Sequence, residues 1–232
     1  QKSLEEHTSF DIETARKNNV GQLVCLSSSC AYPDTLPDYL YPLTEDKIHL
    51  GPPQSTNFSY AYSKRLMQTQ IDACNQQYGT SYTYLIACNL FGPNDRYDDT
   101  GHFMSKLLRK VYLYKHGKID KVEMLGNGMA RRQYMLAGDL AKIIKSHVDK
   151  NVKTSYNVGI LEDYCTCEIA YFAMETIGKS DVEVRFLDTI PAGQMNKYII
   201  VKKMKKIHWD INLLSLSDGI KKTLLELERK WK

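Results

Sequence analysis

The stretch QLVCLSSSCAYP, residues 22–33, begins with an apolar run and ends in three serines, a cysteine and a chain-turning proline. Its apolar part, residues 22–27, predicts a short strand buried on both faces, as in a parallel sheet. Side chains with hydroxyl and thiol groups follow where that strand ends. Ligands of open α/β sheets bind outside the carboxyl ends of the strands. The stretch therefore predicts a buried strand whose carboxyl end carries reactive hydroxyl and thiol groups.

Helical and strand patterns alternate along the chain on either side of this stretch. Apolar spacing predicts helices over residues 3–21, 60–79, 102–116, 137–149 and 166–178, followed by two C-terminal helices. Apolar runs predict further strands over residues 81–88, 122–128, 155–160 and 181–187, and proline and glycine predict loops over 33–59 and 89–101. Asp139 falls in the first turn of its helix, where a carboxylate has a structural role. This order predicts an α/β fold with a mostly parallel sheet.

The composition is that of an ordinary globular protein, since 43% of the 232 residues are hydrophobic and 25% are charged. The formal net charge is +4 and the basic residues are scattered, so we expect no nucleic-acid partner. The densest basic run, Lys202 to Lys206, is predicted to be a solvated helix face. No apolar stretch reaches the ~18 residues of a membrane span and no signal peptide is recognisable, so we expect no membrane partner.

The cysteines do not have the spacing of metal ligands. There are six in the sequence, namely Cys25, Cys30, Cys74, Cys88, Cys165 and Cys167. None forms a Cys/His cluster with zinc-site spacing, so no metal site is predicted. Cys25 and Cys88 lie in apolar runs and are predicted to be buried. This usage is typical of a reducing compartment and favours a cytoplasmic location.

Tyr60 and Lys64 form a Y-x-x-x-K pair, which places both side chains on one face of a helix. A nearby ammonium lowers the pKa of a phenol, which can then give or take a proton at neutral pH. The alternative interpretation is an exposed pair on an amphipathic helix. The serine-bearing strand tip, about thirty residues earlier, can hydrogen-bond the same substrate oxygen and favours the catalytic interpretation.

These motifs together resemble the extended short-chain dehydrogenase/reductase superfamily, nucleotide-sugar branch: a strand ending S-S-x-x-Y, a helical Y-x-x-x-K and a strand ending N-x-F-G-P. The stretches SSSCAYP, SYAYSKR, ACNLFGPND, GHFMSKLL and GNGMARRQYMLAGDLA are similar, in order and spacing, to the GDP-L-fucose synthase family. Its members are NADPH-dependent 3,5-epimerases and 4-reductases that convert GDP-4-keto-6-deoxy-D-mannose to GDP-L-fucose.

The resemblance implies an architecture as well as an activity. It implies the C-terminal part of a Rossmann-like doubly wound parallel sheet plus a small α/β substrate-binding lobe. Residues 1–100 would be the remaining half of the Rossmann-like domain with the catalytic serine, tyrosine and lysine. Residues 101–232 would be the substrate-binding region, interleaved with the Rossmann-like part around 130–160.

The resemblance also implies catalytic roles. Ser28 would hydrogen-bond the C4 carbonyl of the sugar and Tyr60 would protonate that oxygen. Lys64 would hold the nicotinamide ribose and lower the pKa of Tyr60. Cys30 and His102 would be the epimerisation pair, a base and an acid that move protons beside the ketone. The alternatives are a small loop residue for Cys30 and a helix-start histidine for His102.

Further residues are implied to contact NADP or the GDP-sugar. The implied NADP-binding residues are Leu26, Ser27, Lys64, Ala87, Cys88, Asn89, Leu90 and His102. The implied substrate-binding residues are Ser28, Asn89, Lys110, Leu125 and Arg132. Arg132 would grip the diphosphate, which a guanidinium can bind bidentately, whereas Arg131 would be a surface neighbour. Leu125 stands where the family often has a tryptophan, and Ile200 stands near an expected aspartate, which leaves another nucleotide-sugar epimerase as an alternative.

One family feature is absent from the sequence. The family has a Gly-rich G-x-x-G-x-x-G turn that seats the cofactor pyrophosphate on a helix N-terminus, and the 232 residues contain none. We therefore expect a partner or a missing N-terminal segment to cover an otherwise open sheet. A non-catalytic structural subunit is the alternative. The resemblance also implies a homodimer through helices 2–18 and 60–78.

Overall fold

The computed structural model describes residues 4–188 and 194–231, with side-chain burial described from residue 11 onward. The helices are α1 (Leu4–Lys17), α2 (Phe58–Tyr78), α3 (Phe103–Lys115), α4 (Ala137–Asp149), α5 (Thr166–Thr176), α6 (Lys202–Ile207) and α7 (Leu216–Lys230). The strands are β1 (Val24–Ser28), β2 (Thr83–Ala87), β3 (Asn89–Phe91), β4 (Glu123–Leu125), β5 (Arg131–Arg132), β6 (Tyr134–Leu136), β7 (Tyr156–Val158), β8 (Tyr164–Cys165), β9 (Arg185–Leu187) and β10 (Asn196–Lys197).

The chain packs into two compact units and passes between them several times. Unit 1 contains the chain up to Asn89, then Leu140–Leu161 and Tyr198–Asn212. Unit 2 contains Leu90–Asp139, Glu162–Lys197 and the chain from Leu213. The functional division predicted at residue 100 stays a prediction, because these units are defined by packing alone.

Unit 1 is built on a parallel sheet with strand order β1-β2-β7. Val24 pairs with Thr83 at one end of the β1–β2 ladder and Ser28 pairs with Ala87 at the other. Parallel pairing brings the carboxyl ends of these strands to the same edge of the sheet. In the described part of the chain β1 has β2 as its sole hydrogen-bonded neighbour, so its other edge is unpaired.

Helices α1 and α2 pack on this sheet through an apolar cluster. The buried members of the cluster are Ile12, Ala15, Met67, Ile71 and Tyr82. Helix α2 ends as the sequence predicts, because Gly79 adopts φ +67° and donates its N–H to the Asn75 carbonyl at 3.0 Å. The cluster therefore determines which face of α2 packs against the sheet.

A buried asparagine on β7 secures the long loop that follows β1. Asn157 accepts a hydrogen bond from the Tyr32 hydroxyl at 2.8 Å. Its side-chain amide donates to the carbonyls of Leu43 and Ile200, each at 3.1 Å. Its backbone N–H donates to Glu45 Oε1 at 3.0 Å. The proline-rich loop is therefore tied to the sheet by polar groups rather than by regular structure.

Unit 2 has short strands and three helices that pack on one another. Strands β4 and β9 pair in parallel, β5 lies between β10 and β8, and β3 pairs with β6. Helices α3, α5 and α7 contact one another. Asp139, at the start of α4, is 1% exposed and accepts a hydrogen bond from the Leu214 N–H at 2.8 Å. The structural role predicted for Asp139 is in keeping with this contact.

The structure confirms the α/β fold and the predicted helices, and it corrects several details. Residues 89–101 were predicted as a loop, but the first three form β3. Strands β5, β6, β8 and β10 were not predicted. Cys88 is buried as expected, whereas Cys25 is only partly buried.

Two further features of the structure complete the fold. Cys165 and Cys167 are joined by a disulfide that the sequence analysis did not anticipate. Among the described residues, no helix has both the length and the apolar character needed to cross a membrane.

Candidate active site

The tip of β1 carries two of the predicted catalytic residues. Ser28 is the last residue of the strand, and its Oγ accepts a hydrogen bond from the Cys30 N–H at 3.1 Å. This contact caps a single 3-10 turn, Ser29–Ala31, in which Ser29 and Ala31 are buried. The turn leaves Cys30 partly exposed directly beyond the strand. Serine and thiol are thus presented together at one strand end.

Tyr60 from the first turn of α2 joins this pair. Tyr60 lies close enough to Ser28 and Cys30 for both side chains to influence the pKa of its hydroxyl. Burial is the largest influence on this pKa and raises it, while the Ser28 side chain acts in the opposite direction. The structure therefore brings Ser28, Cys30 and Tyr60 close together at the tip of β1, and their catalytic roles stay predictions.

Lys64 lies on the same face of α2, but its charge does not lower the pKa of Tyr60 as predicted. Its Nζ donates to the Leu26 carbonyl of β1 at 2.8 Å and lies 5.6 Å from the centre of the Tyr60 ring. Burial lowers the pKa of Lys64 itself. The prediction of a lowered Tyr60 pKa is wrong, because the ammonium is directed to the backbone of β1 while burial disfavours the phenolate.

The other residues predicted to contact the cofactor line the ends of β1 and β2. Ser27 is buried, and its Oγ accepts a hydrogen bond from Gln68 Nε2 at 2.6 Å. Ala87 and Cys88 are also buried, and the Cys88 N–H donates to the Val158 carbonyl at 2.8 Å. Leu26, Asn89 and Leu90 retain exposed surface. Their contacts with a nucleotide stay predictions.

His102 is the residue that directly precedes α3 and belongs to unit 2. It lines a cavity of about 410 Å³ together with apolar residues that include Phe91 and Leu136. Lys222 of α7 also lines this cavity and was not predicted. The pairing of His102 with Cys30 stays a prediction.

Three predicted substrate-binding residues also lie in unit 2. Lys110 of α3 donates from Nζ to the Glu123 carbonyl. Leu125 is 58% exposed at the end of β4. Arg132 donates from a guanidinium nitrogen to the Arg131 carbonyl at 2.7 Å. The Arg131 guanidinium forms an ion pair with Asp163 at 2.6 Å, which agrees with its predicted place as a surface neighbour.

Two polar residues of α2 near the strand tip were missed from the sequence. Arg65 and Gln68 are 7% and 1% exposed, respectively. Arg65 donates to the carbonyls of Ala31 and Gly51, and Gln68 donates to Ser27. The available signal was their spacing, because both fall on the same helix face as Ala61.

Comparison with known proteins bears on this arrangement. The sequence profile of the "NAD dependent epimerase/dehydratase family" matches residues 12–159, which include Ser28, Cys30, Tyr60, Lys64 and His102. The chain belongs to this family.

Individual relatives are similar over most of the chain. A GDP-L-fucose synthase of Dictyostelium discoideum is 31% identical over 212 residues, covering 88% of this chain and 64% of that protein. A GDP-L-colitose synthase of Yersinia pseudotuberculosis is 31% identical over 216 residues, covering 91% of this chain and 68% of that protein. The chain therefore spans about two thirds of the length of these relatives.

A solved structure supports the fold. The crystal structure of a GDP-L-fucose synthetase from Naegleria fowleri bound to NADP superposes with a TM-score of 0.87 at 22% identity. The match covers 98% of this chain and 72% of that one. The fold is therefore that of the Rossmann-like epimerases and reductases.

Proposed function

We propose that the protein catalyses the NADPH-dependent 3,5-epimerisation and 4-reduction of GDP-4-keto-6-deoxy-D-mannose to GDP-L-fucose. The observation that carries this proposal is the cluster of Ser28, Cys30 and Tyr60 at the tip of β1, with Lys64 one turn further along α2. A structural protein does not need a cysteine and a tyrosine beside a serine at a strand tip. The similarity to GDP-L-fucose synthases supplies the substrate class.

The reduction uses Ser28 and Tyr60. The Ser28 hydroxyl hydrogen-bonds the C4 oxygen and orients the ketone. Because burial raises the pKa of Tyr60, its phenol is protonated at neutral pH and can give a proton to that oxygen. NADPH, when bound, supplies the hydride that C4 receives. Proton donation and orientation are thus the work of two adjacent side chains.

The epimerisation uses Cys30 and His102. Hydrogens on C3 and C5 are acidic because each carbon is adjacent to the C4 carbonyl, which delocalises the charge left behind. One group removes the proton and the other returns a proton to the opposite face, so that no net charge is gained. The Ser28 hydrogen bond to the C4 oxygen also stabilises the enolate formed in between.

The residues at the strand tips fit the nicotinamide end of the cofactor. One N–H of the Lys64 ammonium donates a hydrogen bond to the Leu26 carbonyl, which leaves two N–H donors for ribose hydroxyls. Asn89 and Leu90 are partly exposed, which supports their proposed contact with the nicotinamide. The pyrophosphate is not served by a Gly-rich turn within these 232 residues.

The test is turnover of GDP-4-keto-6-deoxy-D-mannose with NADPH by the full-length gene product. We expect Tyr60→Phe to reduce NADPH oxidation by about a hundredfold or more, because the proton donor is lost. Tyr78→Phe, on the same helix and similarly exposed, should have wild-type activity. Wild-type activity in Tyr60→Phe, or no turnover by the unmodified protein, would refute the proposal.

A closely related reaction is the second candidate. The GDP-L-colitose synthase of Yersinia pseudotuberculosis is as similar to this chain as the fucose enzyme of Dictyostelium discoideum. Leu125 stands where a tryptophan is expected at the sugar-nucleotide pocket and is exposed, which favours a different sugar. Product analysis with both 4-keto sugars distinguishes the two reactions.

A non-catalytic structural subunit is the third candidate. Titration of the full-length protein with NADPH, followed by fluorescence, separates it from the enzymes. Tight binding of NADPH excludes a purely structural role.

The proposed partners follow from the surface of unit 1. Phe58, Tyr62 and Leu66 form an exposed apolar stripe along α2, which supports a homodimer through α1 and α2. The unpaired edge of β1 supports an additional covering strand from a partner or from an N-terminal segment. The cysteines of unit 1 that form no disulfide, Cys25, Cys30, Cys74 and Cys88, support a cytoplasmic location.

A further inference from the structure

Arg65 is a buried cation without an acidic partner. Its side chain belongs to a residue that is 7% exposed, and no carboxylate in the described ranges lies within ion-pair distance of it. Burying a guanidinium is unfavourable unless its donors are satisfied. The groups that satisfy it therefore indicate what the residue does.

Those groups are two backbone carbonyls, one of Ala31 at the end of the Cys30 turn and one of Gly51 in the loop that follows. Arg65 Nε donates to the Ala31 carbonyl at 2.7 Å, and a terminal nitrogen donates to the Gly51 carbonyl at 2.8 Å. The guanidinium also lies 5.3 Å from the centre of the Tyr62 ring. A charged donor makes a stronger hydrogen bond than a neutral one. The two hydrogen bonds of Arg65 therefore form a firm clamp on the turn.

Cys30 depends on this clamp more than Ser28 does. Ser28 is held by the β1–β2 ladder, where it pairs with Ala87. Cys30 lies beyond the ladder in the 3-10 turn, which is secured at its start by Ser28 Oγ and at its end, Ala31, by Arg65. The two ends of the turn thus have different anchors, and the second comes from α2.

We propose that Arg65 is a positioning residue that holds the Cys30 thiol for proton transfer beside the ketone and links it to the helix that bears Tyr60. This inference rests on the proposed function. Arg65 acts on the epimerisation, through Cys30, and leaves the reduction at Ser28 and Tyr60 largely intact. The two halves of the reaction are therefore expected to respond differently to its replacement.

The experiment compares Arg65→Met and Arg65→Lys in the full-length protein. Proton transfer is followed as deuterium incorporation from D₂O into C3 and C5 of the 4-keto sugar without NADPH. Hydride transfer is followed as NADPH oxidation with substrate that the wild-type enzyme has already epimerised. In Arg65→Met we expect deuterium incorporation to fall about ten- to hundredfold and hydride transfer to change less than about threefold, because a small misplacement affects only the displaced group. Arg65→Lys, which can still donate to the Ala31 carbonyl, should recover part of the exchange.

A second measurement does not depend on activity. Alkylation of Cys30 by iodoacetamide, quantified by peptide mass spectrometry, should accelerate more than about fivefold in Arg65→Met relative to Cys74 in the same molecule, because the loosened turn opens more often. Ile71→Val is the matched control. It removes a methyl group from a fully buried position of α2 that packs in the apolar cluster and not on the turn.

The outcomes separate the inference from the proposed function. If Arg65→Met matches Ile71→Val in both alkylation and exchange, or loses both halves of the reaction equally, Arg65 does not position Cys30. If the wild-type protein shows no exchange while alkylation of Cys30 still responds to Arg65→Met, the proposed function is overturned and the positioning of Cys30 stands.

Discussion

At the scale of single residues, Gly101 has no room for a side chain. A Cβ atom at this position would overlap the Arg96 carbonyl oxygen and lie 2.8 Å from Ser105 Oγ. The first of these atoms is backbone and cannot rotate away. Gly101 directly precedes His102, so its close contact with residues 96–98 also constrains the backbone of His102, just before α3 begins. Close packing at Gly101 therefore constrains the backbone next to His102, which is a residue of the candidate site.

We expect Gly101→Ala to lower the free energy of unfolding by about 2 kcal/mol, because the loop must move to relieve the overlap. Urea denaturation followed by circular dichroism measures this change. The control is Gly51→Ala, whose added Cβ would meet Pro33 at an ordinary 3.5 Å. Equal stability of the two variants would show that the loop yields freely.

Residue chemistry is also where the sequence was least able to predict the site. The residue types of Ser28, Cys30 and Tyr60 could be identified from motifs, and they do cluster. The direction of the Tyr60 pKa could not, because it depends on where the Lys64 ammonium points and on how much of the phenol is buried. Both depend on how α2 packs on β1, and a local sequence pattern does not predict that packing.

At the scale of elements, long periodic segments were predictable and short strands were not. Helix α4 begins and ends at the predicted residues, because its apolar spacing runs over thirteen positions. Strands β5, β8 and β10 have two residues each, too few to show alternation, and they exist through pairing with distant segments. The contacts of Arg65 were missed for the same reason, since its two acceptor carbonyls lie 34 and 14 residues earlier in the chain.

Helix α2 presents the element-scale prediction. Phe58, Tyr62 and Leu66 follow each other at intervals of four residues, and each is at least 40% exposed. We expect Leu66→Glu to convert a dimer to a monomer, because a carboxylate in the centre of an apolar interface is poorly solvated. Light scattering measures the mass. The matched control is Leu225→Glu on α7, which is 53% exposed but lies in unit 2. A monomeric wild-type protein, or a dimeric Leu66→Glu variant, contradicts the interface.

At the scale of the whole molecule, a buried chain of side-chain hydrogen bonds makes the free energy of unfolding depend on pH. Thr83 Oγ1 lies 2.9 Å from His147 Nε2, whose other ring nitrogen lies 2.8 Å from the Tyr156 hydroxyl. The same hydroxyl lies 2.5 Å from His208 Nε2, and His208 Nδ1 lies 2.9 Å from Ser146 Oγ. These contacts join α4, β2, β7 and the residue after α6, so the chain ties together the segments that return to unit 1.

Both histidines of this chain favour the neutral form. Burial lowers the pKa of His147, and burial together with the nearby charge of Lys150 lowers the pKa of His208 from 6.5 to about 4. Between these two values the unfolded chain binds a proton at His208 that the folded protein does not. Proton binding by His208 therefore does not reduce the free energy of unfolding above about pH 6.5. As the pH falls towards 4, it reduces the free energy of unfolding by up to about 3 kcal/mol.

We expect His208→Gln to flatten this dependence. The variant is less stable at pH 7, because two buried hydrogen bonds are altered, yet its free energy of unfolding should fall less steeply between pH 6.5 and 4.5 by up to about 1.4 kcal/mol per pH unit. Chemical denaturation at a series of pH values gives the slope. Ser146→Ala removes one hydrogen bond of the chain but no titrating group, so it should lose stability at all pH values and keep the wild-type slope. An unchanged slope in His208→Gln would mean that carboxylates elsewhere, and not the buried histidine, govern acid unfolding.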